Sequence, residues 1–157
     1  MTKTIKIRPA TPGDYEPLAE AFHKMWTDNG MADSDFKQDW KQTTLDFMSD
    51  AALNNDGRAF VAEDGVQIFG GAQCLISRSL YPQALKPEIR TDGYIWGVYV
   101  APSQRRKGLA TRLTEQCTAY LKSIGCTRLI LHASPGGKPV YTALGFSPTN
   151  EMRIEVT

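Results

Sequence analysis

The sequence predicts one α/β (α+β) domain, a mixed sheet flanked by helices, and three observations carry that prediction. The 157 residues suit a single domain able to bury a substantial core without covalent staples. Short apolar runs alternate along the chain with longer segments of helical periodicity. The breaks between them hold glycine, proline, asparagine and aspartate, which turns and caps use.

Lys3 to Arg8 reads as a strand that Pro9 ends. Thr11-Pro12-Gly13-Asp14 then offers an N-cap, a proline at the first helical position and an acid in the first turn, which predicts a helix from about Pro12 to Asp28 stopped by Asn29-Gly30. A second helix is expected from near Ser34 to Ala52, before the turn Asn54-Asn55-Asp56-Gly57. Strands near Arg58 to Glu63 and Val66 to Ser77 are joined through Asp64-Gly65, a hairpin signal. Gly70-Gly71 inside the second of these predicts a bulge or a close approach by another backbone. Leu80 to Arg90, with Pro82 and Pro87, reads as a loop, and Tyr94 to Val100 as a strand.

The next helix carries Leu109, Leu113, Cys117, Leu121 and Ile124 on one face and ends at Gly125. Thr127 to Ala133 follows as a strand and Gly137 to Leu144 as a short helix capped by Gly145. A closing strand pair is expected from Phe146 onward, ending in Met152 to Val156.

Eighteen basic residues against 17 acidic ones give a formal charge of +1, which offers no general electrostatic reason to expect nucleic acid or an anionic membrane as partner. The start of the chain holds no apolar stretch of signal-peptide length and no segment approaches a membrane span, so a cytoplasmic protein is expected. Cys74, Cys117 and Cys126 are odd in number and lack a Cys-x-x-Cys pattern; with only His23 and His132 beside them, neither a disulfide framework nor a metal site is expected.

The most informative segment runs from Val98 to Ala110, where an apolar strand enters the basic turn Arg105-Arg106-Lys107-Gly108 and a helix begins at once. The first amides of a helix have no partner within it and the dipole favours negative charge, so a phosphate can sit there if side chains allow close approach. Gly108 and Ala110 keep that approach open. Neither the Gly-x-x-x-x-Gly-Lys-Ser/Thr loop nor a Gly-x-Gly-x-x-Gly after the first strand is present.

Arg105-Arg106-Lys107-Gly108-Leu109-Ala110 matches the Arg/Gln-x-x-Gly-x-Gly/Ala signature of the GNAT N-acetyltransferase superfamily, and Tyr141-Thr142-Ala143-Leu144-Gly145-Phe146 is similar to that family's Tyr-x-x-x-Gly-Phe segment. The chain thus resembles a GNAT protein, most strongly over residues 92 to 148. The resemblance implies a mixed, mostly antiparallel central sheet, splayed at its middle strands and flanked by about four helices. It also implies a division into an acceptor-side half, residues 1–91, and an acetyl-CoA-binding half, residues 92–157.

The co-substrate it implies is acetyl-CoA, with no metal. The residues expected to bind it are Val98, Tyr99 and Val100 of the strand, Arg105, Arg106, Lys107, Gly108, Leu109, Ala110 and Thr111 of the turn and helix start, and Ser134, Lys138 and Tyr141 beyond. Family members lay the pantetheine arm along this strand, so the Val98 amide is expected to face the thioester carbonyl and Val100 to pair with the arm. Tyr141 stands where many relatives hold the tyrosine that protonates the departing thiolate. Tyr94 stands where several carry a glutamate base; Asp92, two residues earlier, is the substitute candidate, a solvated turn carboxylate being the alternative. Ser134 stands where relatives often have an asparagine. His132, on the same strand face, reaches the acceptor site or is a satisfied core histidine.

Trp26, Asp33, Tyr81, Tyr94 and Trp96 are the candidate acceptor-binding residues, since aromatics together with the acids Asp28, Asp33 and Asp35 suit a cationic amine. The expected function is acetyl transfer to a small primary amine by direct transfer in a ternary complex. Acetylation of a protein or peptide amine, or CoA binding without catalysis, are the alternatives. The partner is then a small molecule, with a homodimer left open.

Overall fold

A computed structural model of the chain describes residues 3–78 and 80–157. In chain order it contains β1 (Lys6–Pro9), α1 (Tyr15–Asp28), α2 (Trp40–Asn54), β2 (Arg58–Glu63), β3 (Ile68–Ser77), β4 (Asp92–Val100), α3 (Leu109–Ser123), β5 (Arg128–Ile130) and α4 (Lys138–Ala143). The strands form one sheet in the order β1-β2-β3-β4-β5. The first three pairings are antiparallel and the last, β4 with β5, is parallel. A parallel neighbour needs a crossover, and α3 supplies it. Among the described residues no helix is long and apolar enough to cross a membrane.

The sheet separates two apolar layers. On one face Phe60, Ala62, Ala72, Cys74, Ile95 and Val100 meet the buried stripe Leu109, Leu113, Cys117 and Leu121 of α3. On the other, Leu18 of α1 and Met48 of α2 cover Ala59 and Val61. Both glycine-ended helices close in the same way. Gly125 has φ +95 and Gly145 φ +96, while Cys126 N–H reaches Leu121 O and Phe146 N–H reaches Tyr141 O, each at 3.0 Å. This is the pattern in which a left-handed residue satisfies the last carbonyls of a helix.

Several boundaries differ from the sequence reading. β1 begins at Lys6, not Lys3. The second helix begins at Trp40, because Asp33–Asp35 forms only one 3-10 turn, held by the Asp35 carboxylate on Ala32 N–H at 2.9 Å, and Phe36 is extended. β3 starts at Ile68, since Asp64 Oδ1 accepts from both Val66 and Gln67 N–H and keeps them in the turn. β5 spans three residues in place of the expected seven. The closing strand pair is absent among the described residues: none from Phe146 to Thr157 is assigned to a strand, and Met152, Ile154 and Val156 stay exposed. Alternation of apolar residues gives a segment one stickier face, but only a partner edge makes it a strand.

Gly70 and Gly71 mark close approaches. A Cβ at Gly70 would stand 2.3 Å from Tyr99 O, and one at Gly71 2.3 Å from Leu18 Cδ2.

The link from β1 to α1 rests on Asp14. Its carboxylate accepts from the Arg8 guanidinium at 2.8 and 3.1 Å and from Thr11 N–H at 2.8 Å. The Arg8 hydrogen bond leads in lowering its pKa from 3.8 to about 2. A depressed carboxyl stabilises the fold above its unfolded value, and that contribution is lost as pH falls from about 4 through about 2. Asp14→Ala is expected to reduce unfolding free energy in urea by about 1–2 kcal/mol at neutral pH, allowing for the exposed guanidinium. The gap between parent and variant should narrow on acidification below about pH 4; an equal gap at pH 2 would show that the ion pair is not its origin.

Candidate functional site

β4 and β5 lie side by side for three residues, Asp92, Gly93 and Tyr94 against Arg128, Leu129 and Ile130. Beyond Tyr94, β4 continues to Val100 along β3 while its other edge has no strand beside it. Within this stretch β3 advances from Gly71 to Gln73 as β4 goes from Tyr99 back to Trp96. The extra residue sits at Gly97-Val98, with Gly97 at φ +64, so β4 bulges there. Ala101 N–H donates to Phe69 O of β3 at 2.6 Å. Alternation along the extended backbone then turns the Val100 and Val98 amides to the free edge. Their side chains lie in the α3 core.

After the bonded amides of Ala101, Gln104 and Arg105, a second set of free donors follows. Gly108, at φ +77, precedes α3, whose first helical bond there is Arg112 N–H to Gly108 O at 3.1 Å. Among the described residues no protein acceptor meets the amides of Arg106, Lys107, Gly108, Leu109, Ala110 or Thr111. A Cβ on Gly108 would meet nothing within 4 Å, so the space before these amides is open. Arg106 takes φ +62, a conformation that costs a non-glycine residue about 1–2 kcal/mol. Arg105 is not free to face an anion. Its Nε donates to Val100 O and its Nη2 to Asp28, both at 2.8 Å. It ties the turn to the end of α1.

Tyr141 is buried on α4, which rests on α3. Phe146 meets its ring edge-on at 6.1 Å. Burial, with a smaller effect of Cys117, pushes its phenol above the usual value. Ser134 closes the turn that leads into α4: its Oγ accepts from Gly137 N–H at 3.1 Å. Lys138 is exposed on the first turn of that helix.

Asp92 is held between two guanidiniums, Arg128 at 2.8 and 3.0 Å and Arg90 at 3.3 Å. Burial opposes its ionisation, but the two arginines outweigh it and lower its pKa. Tyr94 O–H lies 3.1 Å from His132 Nδ1, and His132 Nε2 lies 3.1 Å from Glu151 Oε2.

The aromatic acceptor candidates fall into three places, Tyr94 being the one beside His132. Trp96 meets Phe22 at 5.2 Å and Phe47 at 5.1 Å, and Phe22 meets Trp26 at 6.1 Å, so β4, α1 and α2 share one aromatic cluster. Asp33 lies 3.9 Å from His23, which stacks on Trp40 at 4.2 Å. Tyr81 is elsewhere, with the Arg90 guanidinium 5.4 Å from its ring centre. Gln73 Nε2 and Trp96 Nε1 are buried without a hydrogen-bond partner among the described residues. An open concavity of about 660 Å³ between Pro12, Tyr15, Leu45 and Leu53 contains none of the candidate residues.

Sequence reasoning missed Phe22, Phe47, Gly97 and Glu151. Phe22 and Trp26 stand four residues apart on one helix face, a signal the sequence does hold. A glycine within a strand run was the signal for Gly97. Glu151 meets His132 only through the tertiary fold, and nothing local marks it.

A family model described as the acetyltransferase (GNAT) family matches residues 18–146. An aminoglycoside N(6')-acetyltransferase type 1 of Acinetobacter genomosp. 13 is 34% identical over 62 residues, 38% of this chain and 42% of that protein. That match therefore spans about two fifths of the relative's length. The crystal structure of a GCN5-related N-acetyltransferase from Ralstonia eutropha JMP134 superposes with a TM-score of 0.81 at 23% identity, covering 98% of this chain and 99% of that one. A predicted acetyltransferase from Clostridium acetobutylicum, solved with acetyl-CoA, superposes at 0.82 with 25% identity, covering 98% and 96%.

The free amides before α3 lead to a direct test. In Gly108→Glu a carboxylate enters the open space before them, and no heat of acetyl-CoA binding is expected by calorimetry while the circular dichroism of the parent is retained. Parent-like affinity in that variant would show that the anion does not sit there.

Proposed function

The chain belongs to the acetyltransferase (GNAT) family, and from that premise we propose that it transfers an acetyl group from acetyl-CoA to a primary amine of a small molecule, directly, in a ternary complex. The observation that carries this reading is a run of donors left unpaired among the described residues, the Val98 and Val100 amides on the strandless edge of β4 and then the amides of Arg106 to Thr111, parted by the bonded amides of Ala101, Gln104 and Arg105. An extended amide-bearing arm with a pyrophosphate at one end fits such a run. Acetyl-CoA supplies the acetyl group as a thioester.

In this reading the amides from Arg106 to Thr111 hold the pyrophosphate and Val100 pairs with the arm. Val98 N–H donates to the carbonyl oxygen as negative charge builds on it, from a backbone position fixed by the bulge. Tyr141 gives its proton to the departing sulfur; burial keeps that phenol protonated at neutral pH. Lys138 adds positive charge, and Ser134 holds the turn before the helix that carries Tyr141. Asp92, held as an anion by Arg90 and Arg128, serves to join β4 to β5 at the fork.

The acceptor is a cation in solution, received by Trp26, Trp96, Tyr94 and Asp33. The aminoglycoside-acetylating relative supports a small polyamine-like acceptor over a protein. Residues 1–91 form the acceptor wall and residues 92–157 the acetyl-CoA wall.

Thiol release from acetyl-CoA, measured with lysine, spermidine and kanamycin, tests the reading. Turnover with at least one of them is expected. With that amine, Tyr141→Phe should lower kcat by roughly ten- to ten-thousand-fold, the range for loss of a general acid. The KM for acetyl-CoA should move far less. A near-normal kcat would reduce Tyr141 to a packing residue.

A further inference from the structure

We propose that Tyr94, His132 and Glu151 form a proton relay that takes the proton from the acceptor ammonium at the fork between β4 and β5 and passes it outward to His132. This rests on the amine-acetylation reading above. An ammonium cannot attack a carbonyl until it loses a proton, so the site must hold an acceptor for it. The nearby carboxylate of Asp92 is committed to Arg128 and Arg90.

The hydrogen-bond chain has one direction. Glu151, as a carboxylate, only accepts, so a neutral His132 carries its proton on Nε2 and donates it across 3.1 Å. Nδ1 is then the acceptor, and Tyr94 O–H donates to it, also at 3.1 Å. The phenol oxygen keeps lone pairs for an incoming N–H. Tyr94 is the last residue of β4 paired with β5, opposite Ile130, so its side chain stands where the strands part and three positions before the Gly97 bulge.

The step balances without any further reactant. The acceptor ammonium gives a proton to Tyr94 Oη as the phenol's own proton moves to His132 Nδ1; the products are a neutral amine and an imidazolium facing the Glu151 carboxylate. Tyr94 remains neutral throughout, in keeping with a phenol raised above its usual value by burial and by Glu151. His132 and Glu151 are well exposed, with side-chain exposures of 63% and 66%, so the imidazolium can discharge to water. Among the described residues, the titratable groups meeting His132 are Tyr94 from β4 and Glu151 from the C-terminal segment. Tyr94 is the group in contact with substrate; His132 and Glu151 act through it.

The test is kcat against pH at saturating acetyl-CoA, with whichever of lysine, spermidine or kanamycin the parent acetylates best. Tyr94→Phe and His132→Gln should each lower the plateau of kcat by about a hundredfold or more, and the double variant should lose no more than either alone. Glu151→Gln should lower the plateau as well, because the imidazolium then forms without the carboxylate it faces. Acetyl-CoA affinity by calorimetry and melting temperature should stay within the parent's range, whereas a merely structural role for these residues would lower the melting temperature together with kcat. If the parent turns over and all three single variants keep its plateau, the relay is overturned while the transferase reading stands. A parent that acetylates none of the amines overturns both.

Discussion

The parting of β4 from β5 after Tyr94 is the constraint from which the rest of the site follows. A parallel pair that ran its full length would consume the outer amides of β4. Here the pairing stops at Tyr94 and Ile130, and the strand continues with one edge free. The bulge at Gly97 adds a second effect: it puts an extra residue into β4 while β3 holds the other edge in register. Donors are thus left unpaired but rigidly placed, which is what stabilising a developing charge demands.

Two devices keep the opening from closing. Below it, Asp92 with Arg90 and Arg128 clamps the strands where they still meet. Above it, Arg105 spans from Val100 O to Asp28, joining the end of β4 to the end of α1. Surface ion pairs of this kind add little stability on their own; their effect here is to fix where the strand edge and the helix start lie relative to the N-terminal helices. The apolar stripe of α3 supplies the stability, with Leu113, Cys117 and Leu121 fully buried against the sheet.

The periodic parts of the molecule were legible in the sequence, and the parts set by pairing partners were not. Leu109, Leu113, Cys117 and Leu121 announce both a helix and its buried face, and Gly125 and Gly145 announce where helices end. The basic turn before Leu109 marked the helix start whose amides are free among the described residues, and the Tyr141 to Phe146 segment proved to be a helix-closing motif that seats the tyrosine. Met152, Ile154 and Val156 alternate as a strand would, yet no edge receives them. Asp92 offered a base by position alone, and only the folded structure showed the two arginines that hold it. The same holds for Glu151, whose contact with His132 joins segments 19 residues apart.

The central claim is that acetyl-CoA lies along the free edge of β4 with its pyrophosphate at the start of α3. Residue-resolved amide hydrogen exchange by NMR, with and without acetyl-CoA, tests it most directly. The account predicts new protection at Val98, Val100 and the amides from Gly108 to Thr111, with β1 and β2 unchanged. Protection confined to the concavity between Pro12 and Leu53, with those amides exchanging as before, would contradict it.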